Sequence, residues 1–173
     1  MTLRRAAAAA LAVLALLAGC ATPPPAADLI AGRLALQVAA HDGVAERQFA
    51  SAFELRGGAE RGALALTTPL GTTVAQARWQ PGLVEFATAD GPRVYADLDA
   101  LTRDVLGEAL PLAALFDWLR ARPWPAAPSE PTAAGFAQLG WSVDVARRTE
   151  GWIVLQRARP PAVTMRVRLD AAP

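Results

Sequence analysis

Lysine is absent from the 173 residues, and histidine and cysteine occur once each, as His41 and Cys20. A single cysteine excludes an intramolecular disulfide. One histidine and one cysteine cannot furnish a soft metal site, and His41-Asp42 sits in the turn signal Ala40-His41-Asp42-Gly43, which reads as a solvated hairpin rather than a nucleophile's base. The stretch from Gly57 to Gly62 lacks the lysine and the hydroxyl of a phosphate-binding loop and reads as a hairpin loop. Asp97 and Asp99 resemble paired carboxylates, but capping and first-turn dipole effects account for both. The expectation is a protein that is not an enzyme and uses no cofactor and no metal.

Charge of either sign is also in short supply as an excess. The 17 basic residues, all arginine, nearly balance 16 acidic ones. No nucleic-acid partner is expected from that balance. Aromatics make up 6% of the chain, while 53% of it is hydrophobic, enough for one domain with a sizeable core.

Part of that apolar content is not fold. Arg4 and Arg5 precede an unbroken apolar run from Ala6 to Leu17, which ends in Leu17-Ala18-Gly19-Cys20. A charged start, a short apolar run and small residues before a cut describe a signal peptide, too short for a comfortable transmembrane helix. The last four residues match the bacterial lipobox, in which the cysteine is diacylated, the bond before it is cleaved, and the new amine is usually acylated. Residues 1–19 are therefore expected to be removed and Cys20 to carry the lipid. Two or three chains anchor firmly where one does not. Losing Arg4 and Arg5 leaves 15 basic against 16 acidic residues, a formal charge of −1. Residues 20–31 read as the lipidated cysteine and a proline-rich tether, extended at ~3 Å per residue.

From Gly32 the period is two. Leu34, Leu36 and Val38 alternate with Arg33 and Gln37; Phe49 and Phe53 alternate with Gln48 and Glu54; Leu64 and Leu66 follow in a third run. Val74 to Trp79 and Val84 to Phe86 continue the series between turn signals. Asp97 can cap a helix running to Gly107, and Pro111 suits the first turn of a second, whose Leu112, Leu115, Phe116 and Leu119 share a face with Trp118 at its margin. Ala121 to Ala134 reads as a loop, and strand patterns resume at Phe136–Val145, Gly151–Gln156 and Ala162–Asp170. The fold class expected is mainly β with helices, one curved antiparallel sheet with helices on its concave side. In Thr68-Pro69-Leu70-Gly71, proline and glycine suit a β-turn, which leaves Leu70 where a polar tip is expected.

The lipobox, Thr68-Pro69-Leu70-Gly71-Thr72-Thr73, the run from Ala109 to Leu119 with Arg122-Pro123-Trp124-Pro125 after it, Gly140-Trp141-Ser142-Val143-Asp144, and Pro160 to Leu169 together resemble the LolB family. The similarity covers about Gly32 to Leu169. Departures are Thr68 where asparagine often precedes the proline, and a short stretch between Cys20 and the first strand. The resemblance implies an incomplete antiparallel β-barrel over residues 32–170, with helices covering an apolar cavity. It implies a lipoprotein of the outer membrane's inner leaflet that accepts other lipoproteins from the periplasmic carrier LolA and inserts them into the membrane without nucleotide. A monomer is expected. It further implies an exposed hydrophobic residue on a protruding loop, which matches Leu70 between Pro69 and Gly71. Ala21 after the acylated cysteine agrees, since aspartate there commonly retains lipoproteins in the inner membrane.

A triacyl anchor carries on the order of forty methylenes, whose burial at ~0.8 kcal/mol each is worth roughly 30 kcal/mol. No single side chain holds that. Leu34, Leu36, Phe49, Phe53, Leu64, Leu66, Trp79, Phe86, Leu115 and Trp118 are the candidate lining of the acyl cavity. The competing expectation is an assembly lipoprotein that binds a protein partner without lipid uptake.

Overall fold

The computed structural model describes residues 29–171; the expected signal peptide, Cys20 and the expected tether up to Asp28 lie outside them. One antiparallel sheet of eleven strands runs through the described residues, open at both edges. In chain order the strands are β1 (Leu29–Val38), β2 (Arg47–Gly57), β3 (Gly62–Thr67), β4 (Thr73–Gln80), β5 (Leu83–Thr88) and β6 (Gly91–Tyr95), then β7 (Ser129–Thr132), β8 (Gly135–Gln138), β9 (Trp141–Asp144), β10 (Trp152–Arg157) and β11 (Val163–Leu169). Two helices, α1 (Leu98–Leu106) and α2 (Leu112–Trp118), separate the two groups. Each group is a meander. They join where β1 pairs with β11, Leu34 opposite Val167 and Leu36 opposite Met165, giving the order β6-β5-β4-β3-β2-β1-β11-β10-β9-β8-β7.

Alternation decides the faces. In β11, Val163, Met165, Val167 and Leu169 are buried while Arg166 and Arg168 are exposed, the period of two that a half-buried strand requires. In β4, Ala75, Ala77 and Trp79 point inward between exposed neighbours. Gly62, opposite Trp79, has no room for a side chain: a Cβ would collide with the indole, which folds across it and donates Nε1–H to the Gly58 carbonyl at 3.0 Å.

The helices sit where their sequence signals put them. Asp97 Oδ1 accepts the Ala100 N–H at 2.7 Å, and Gly107, at φ 78°, ends α1 by donating its N–H to the Arg103 carbonyl at 2.9 Å. The Thr102 hydroxyl accepts the Leu110 N–H at 3.0 Å, which fixes the connection to α2. In that connection Glu108 meets the buried Arg157 of β10 at 2.9 Å, while Arg157 also donates to the Pro161 carbonyl and lies over the Trp141 ring.

Three boundaries differ from the sequence expectation. β1 begins at Leu29, opposite Arg56, so pairing extends three residues before Gly32. β6 occupies Gly91–Tyr95, where a turn signal masks a strand whose alternate residues face α1 rather than a closed core. β7 falls inside the segment 121–134 expected to be a loop; its residues Ser129 to Thr132 are all exposed, and proline is tolerated there because the strand is an edge. The Phe136–Val145 pattern is two strands, not one. Leu139 and Gly140, at φ 54° and 76°, turn the chain between β8 and β9.

Candidate functional site: an apolar cavity beneath the helices

Packing is uneven across the sheet. Behind β8 to β10 and the start of β11 the interior is solid: Trp118, Val143, Ile153, Leu155 and Val163 are essentially sealed from water, while Met165 and Val167 of β11 reach the cavity described next. Gln138 organises this half. Its Oε1 accepts Trp118 Nε1–H at 2.7 Å and the Trp124 N–H at 2.9 Å, and its Nε2 donates to the carbonyls of Trp124 and Ala127 at 2.8 and 2.7 Å. Buried polar groups persist only when so paired.

Over β1 to β5 the sheet and helices do not close. A cavity of about 490 Å³ lies between them, within the size range of small-molecule pockets. Leu34 and Leu36 of β1, Phe49 and Phe53 of β2, Leu64 and Leu66 of β3, Trp79 of β4, Phe86 of β5 and Leu115 of α2 line it. Leu34, Phe49, Leu64, Leu66, Phe86 and Leu115 pack against the core yet stay half-buried, since they face an open space.

Trp118 does not line the cavity. It is 1% exposed, points to the opposite side of α2, and packs on Trp141 with ring centroids 6.0 Å apart. A helix one turn past the margin of its apolar face buries that residue only if a second layer lies there, and β8 and β9 supply it. Phe116 takes the place expected of Trp118, lining the cavity edge-on to Trp79 at 5.6 Å.

The mouth was not legible in the sequence. Asp90, Arg93, Asp104 and Val105 reach the lining from the β5–β6 turn, β6 and α1. Asp104 Oδ2 accepts the Tyr95 hydroxyl at 2.6 Å and Arg93 at 3.1 Å. The Tyr95 hydrogen bond first, then Arg93, holds the Asp104 carboxyl below the usual range, and the same bond pushes the Tyr95 phenol up. Arg47 of β2 donates to the Val105 carbonyl at 2.8 Å. These bonds hold α1 over a largely apolar hollow whose charged groups, Asp90, Arg93 and Asp104, are exposed at its rim.

Beside the mouth stands the β3–β4 turn. Gly71 N–H donates to the Thr68 carbonyl at 2.9 Å, Thr68 N–H to the Thr72 carbonyl at 2.8 Å, and Gly71 takes φ 83°. Glycine is suited to that left-handed conformation. Pro69 and Leu70 form the tip, and Leu70 is 94% exposed, the most exposed large hydrophobic side chain among the described residues. Among the described residues no group of three or more His, Cys, Asp or Glu is placed to hold a metal ion, and no helix is long and apolar enough to cross a membrane. Cys20 lies outside the described residues.

A family profile described as outer membrane lipoprotein LolB matches residues 29–170. The outer-membrane lipoprotein LolB of Bordetella petrii is 36% identical over 164 residues, covering 84% of this chain and 82% of its own. That of Ralstonia nicotianae is 36% identical over 152 residues (75% and 70%), and that of Chromobacterium violaceum 37% identical over 142 residues (74% and 75%).

Proposed function

The chain belongs to the LolB family, the outer-membrane receptors of lipoprotein sorting, and from that premise we propose how its cavity, its turn and its lipid divide the work. The observation that carries the reading is the apolar hollow under α1 and α2, left unfilled by side chains in a protein that is otherwise close-packed. Acyl chains of a cargo lipoprotein enter it, shielded from water by Leu34, Leu36, Phe49, Phe53, Leu64, Leu66, Trp79, Phe86 and Leu115. A LolA-type periplasmic carrier delivers the cargo to this protein, which acts as a monomer.

Transfer needs no nucleotide in this scheme. Cargo passes from carrier to receptor because the receptor's cavity holds the acyl chains better, and passes on because a bilayer holds them better still. Residues 1–19 are cleaved, Cys20 is acylated, and residues 21–28 tether the domain to the outer membrane. Leu70, presented by Pro69 and Gly71, is the residue that meets the bilayer during discharge. Its burial in lipid is worth about 1.5–3 kcal/mol, too little to anchor the domain but enough to favour contact.

Uptake is tested on the mature chain carrying Cys20→Ala, by displacement of a fluorescent fatty acid. Saturable binding, displaced by unlabelled fatty acid, is the expected result. No saturable binding would instead favour a scaffold that binds protein partners alone.

A further inference from the structure

The turns of an antiparallel meander alternate between two ends of the sheet. The β3–β4 turn bearing Leu70 and the β5–β6 turn bearing Asp90 share one end, together with the cavity mouth. Leu29, where β1 begins, lies at the other, beside the β2–β3 turn. The chain therefore leaves the domain toward Cys20 at the end opposite the mouth. Eight residues, 21 to 28, separate Cys20 from β1, a reach of about 30 Å at full extension.

The convex face at this anchor end has an unusual charge arrangement. Arg33 of β1 stands directly opposite Arg168 of β11, and Arg166 lies two residues away on the same face. Like charges directly opposite are destabilising. Among the described residues no carboxylate is within salt-bridge distance of Arg33, Arg166 or Arg168. Glu54 is engaged by Arg56 at 2.9 Å and Glu150 by Arg147 at 2.6 Å, while Asp144 accepts the Ala146 N–H. Asp170, exposed one row below, Asp144, which shares a groove with Arg166, and Glu150, which Arg168 also stabilises at longer range, are the acids nearby, fewer than the four arginines Arg33, Arg147, Arg166 and Arg168.

Beside these arginines is Trp152, half-buried, with the Arg168 guanidinium 5.4 Å from its ring centroid. A second groove of about 260 Å³ runs along it, lined by Asp144, Arg147, Trp152, Val154 and Arg166. We propose that this face of β1, β11 and β10 docks on the anionic headgroups of the bilayer that holds the lipid anchor. Guanidinium groups match phosphate oxygens in pairs, and tryptophan favours the headgroup level. The tether keeps this end of the sheet, rather than the mouth, nearest that surface.

The inference rests on the lipid-anchored receptor reading and adds an orientation to it. Docked by the arginine face, the domain holds its mouth and Leu70 away from the anchor, open to an arriving carrier. Discharge then requires the face to let go, so that the Leu70 end can swing to the membrane.

The test is flotation of the mature chain carrying Cys20→Ala with phosphatidylglycerol vesicles against phosphatidylcholine vesicles. Binding to the anionic vesicles alone, weakened by salt, is expected, with a loss of roughly fivefold for each of Arg166→Gln and Arg168→Gln. Arg103→Gln, a matched loss of charge on the exposed side of α1, should leave it unchanged. Equal binding to both vesicle types, undiminished binding by the double variant, or an equal loss through Arg103→Gln would overturn the proposal. Fatty-acid displacement by the double variant checks its fold and keeps this outcome separate from the fate of the receptor reading, because the arginines are on the opposite face from the cavity.

Discussion

Leu70→Glu is expected to leave uptake of acyl chains intact and to slow discharge into vesicles at least tenfold. The side chain is 94% exposed and is not part of the cavity lining, so the folded state loses little by the change. What is lost appears only at the bilayer. Leucine gains about 1.5–3 kcal/mol on entering lipid, and a carboxylate gains none and must be desolvated or held at the surface. A difference of 1.4 kcal/mol is already a factor of ten. The measurement is the rate at which cargo leaves the protein for liposomes, beside fatty-acid affinity and the melting temperature. Normal discharge by the folded variant would remove Leu70 from the delivery step. The turn itself is a rigid presenter, with hydrogen bonds from Gly71 to Thr68 and from Thr68 to Thr72, so a flexible tip cannot mask the effect.

The second large effect is on stability. Gln138→Leu should lower stability by about 4 kcal/mol, or the melting temperature by roughly 10 °C. Leucine fills nearly the same volume but strands Trp118 Nε1–H, the Trp124 N–H and the Ala127 carbonyl, and leaves the Trp124 carbonyl only the Ala127 N–H at 3.4 Å, where one amide that is 3% exposed now serves all four. Each stranded buried group costs about 1–3 kcal/mol before relaxation, and water entering near Trp124, which is only half-buried, recovers part of it. Trp118 belongs to α2, whose other face roofs the cavity through Leu115 and Phe116. Fatty-acid affinity should therefore weaken together with the melting temperature. A variant that melts within a degree or so of the parent would show that the network contributes little.

The sequence pattern carried the sheet well where one face is apolar. Period two in β1 to β5 and in β11 marks strands whose inner residues are Leu34, Phe53, Trp79 or Val167, and the Asp97 and Gly107 caps mark α1. The pattern failed at the edges. β6 and β7 have little apolar surface to bury, so neither Gly91–Tyr95 nor Ser129–Thr132 alternates in hydrophobicity. Trp118 was misplaced for a different reason: periodicity defines one apolar face for a helix, whereas α2 is packed on both sides, against the cavity and against β8 and β9. The rim formed by Arg93, Tyr95 and Asp104 was invisible because it joins a strand to a helix through exposed polar residues, which carry no signal in the chain. Gln138, an ordinary polar letter in a short strand, gave no sign that it holds three segments together.

Separating the mouth from the anchor also could not be read from composition, since it follows from counting turns once the sheet order is known. It bears on function directly. A receptor tethered at its mouth would present its cavity to its own membrane, whereas the proposed docking of this chain would present it to the periplasm first.

The most direct measurement of the central claim is reconstitution of transfer. A triacylated lipoprotein bound to its carrier is incubated with this protein in the absence of nucleotide, and the cargo is located by co-purification, with and without excess fatty acid to fill the cavity. The account predicts that cargo moves to this protein and that fatty acid prevents the move. Cargo that stays with the carrier, or that moves equally well with the cavity filled, would contradict it.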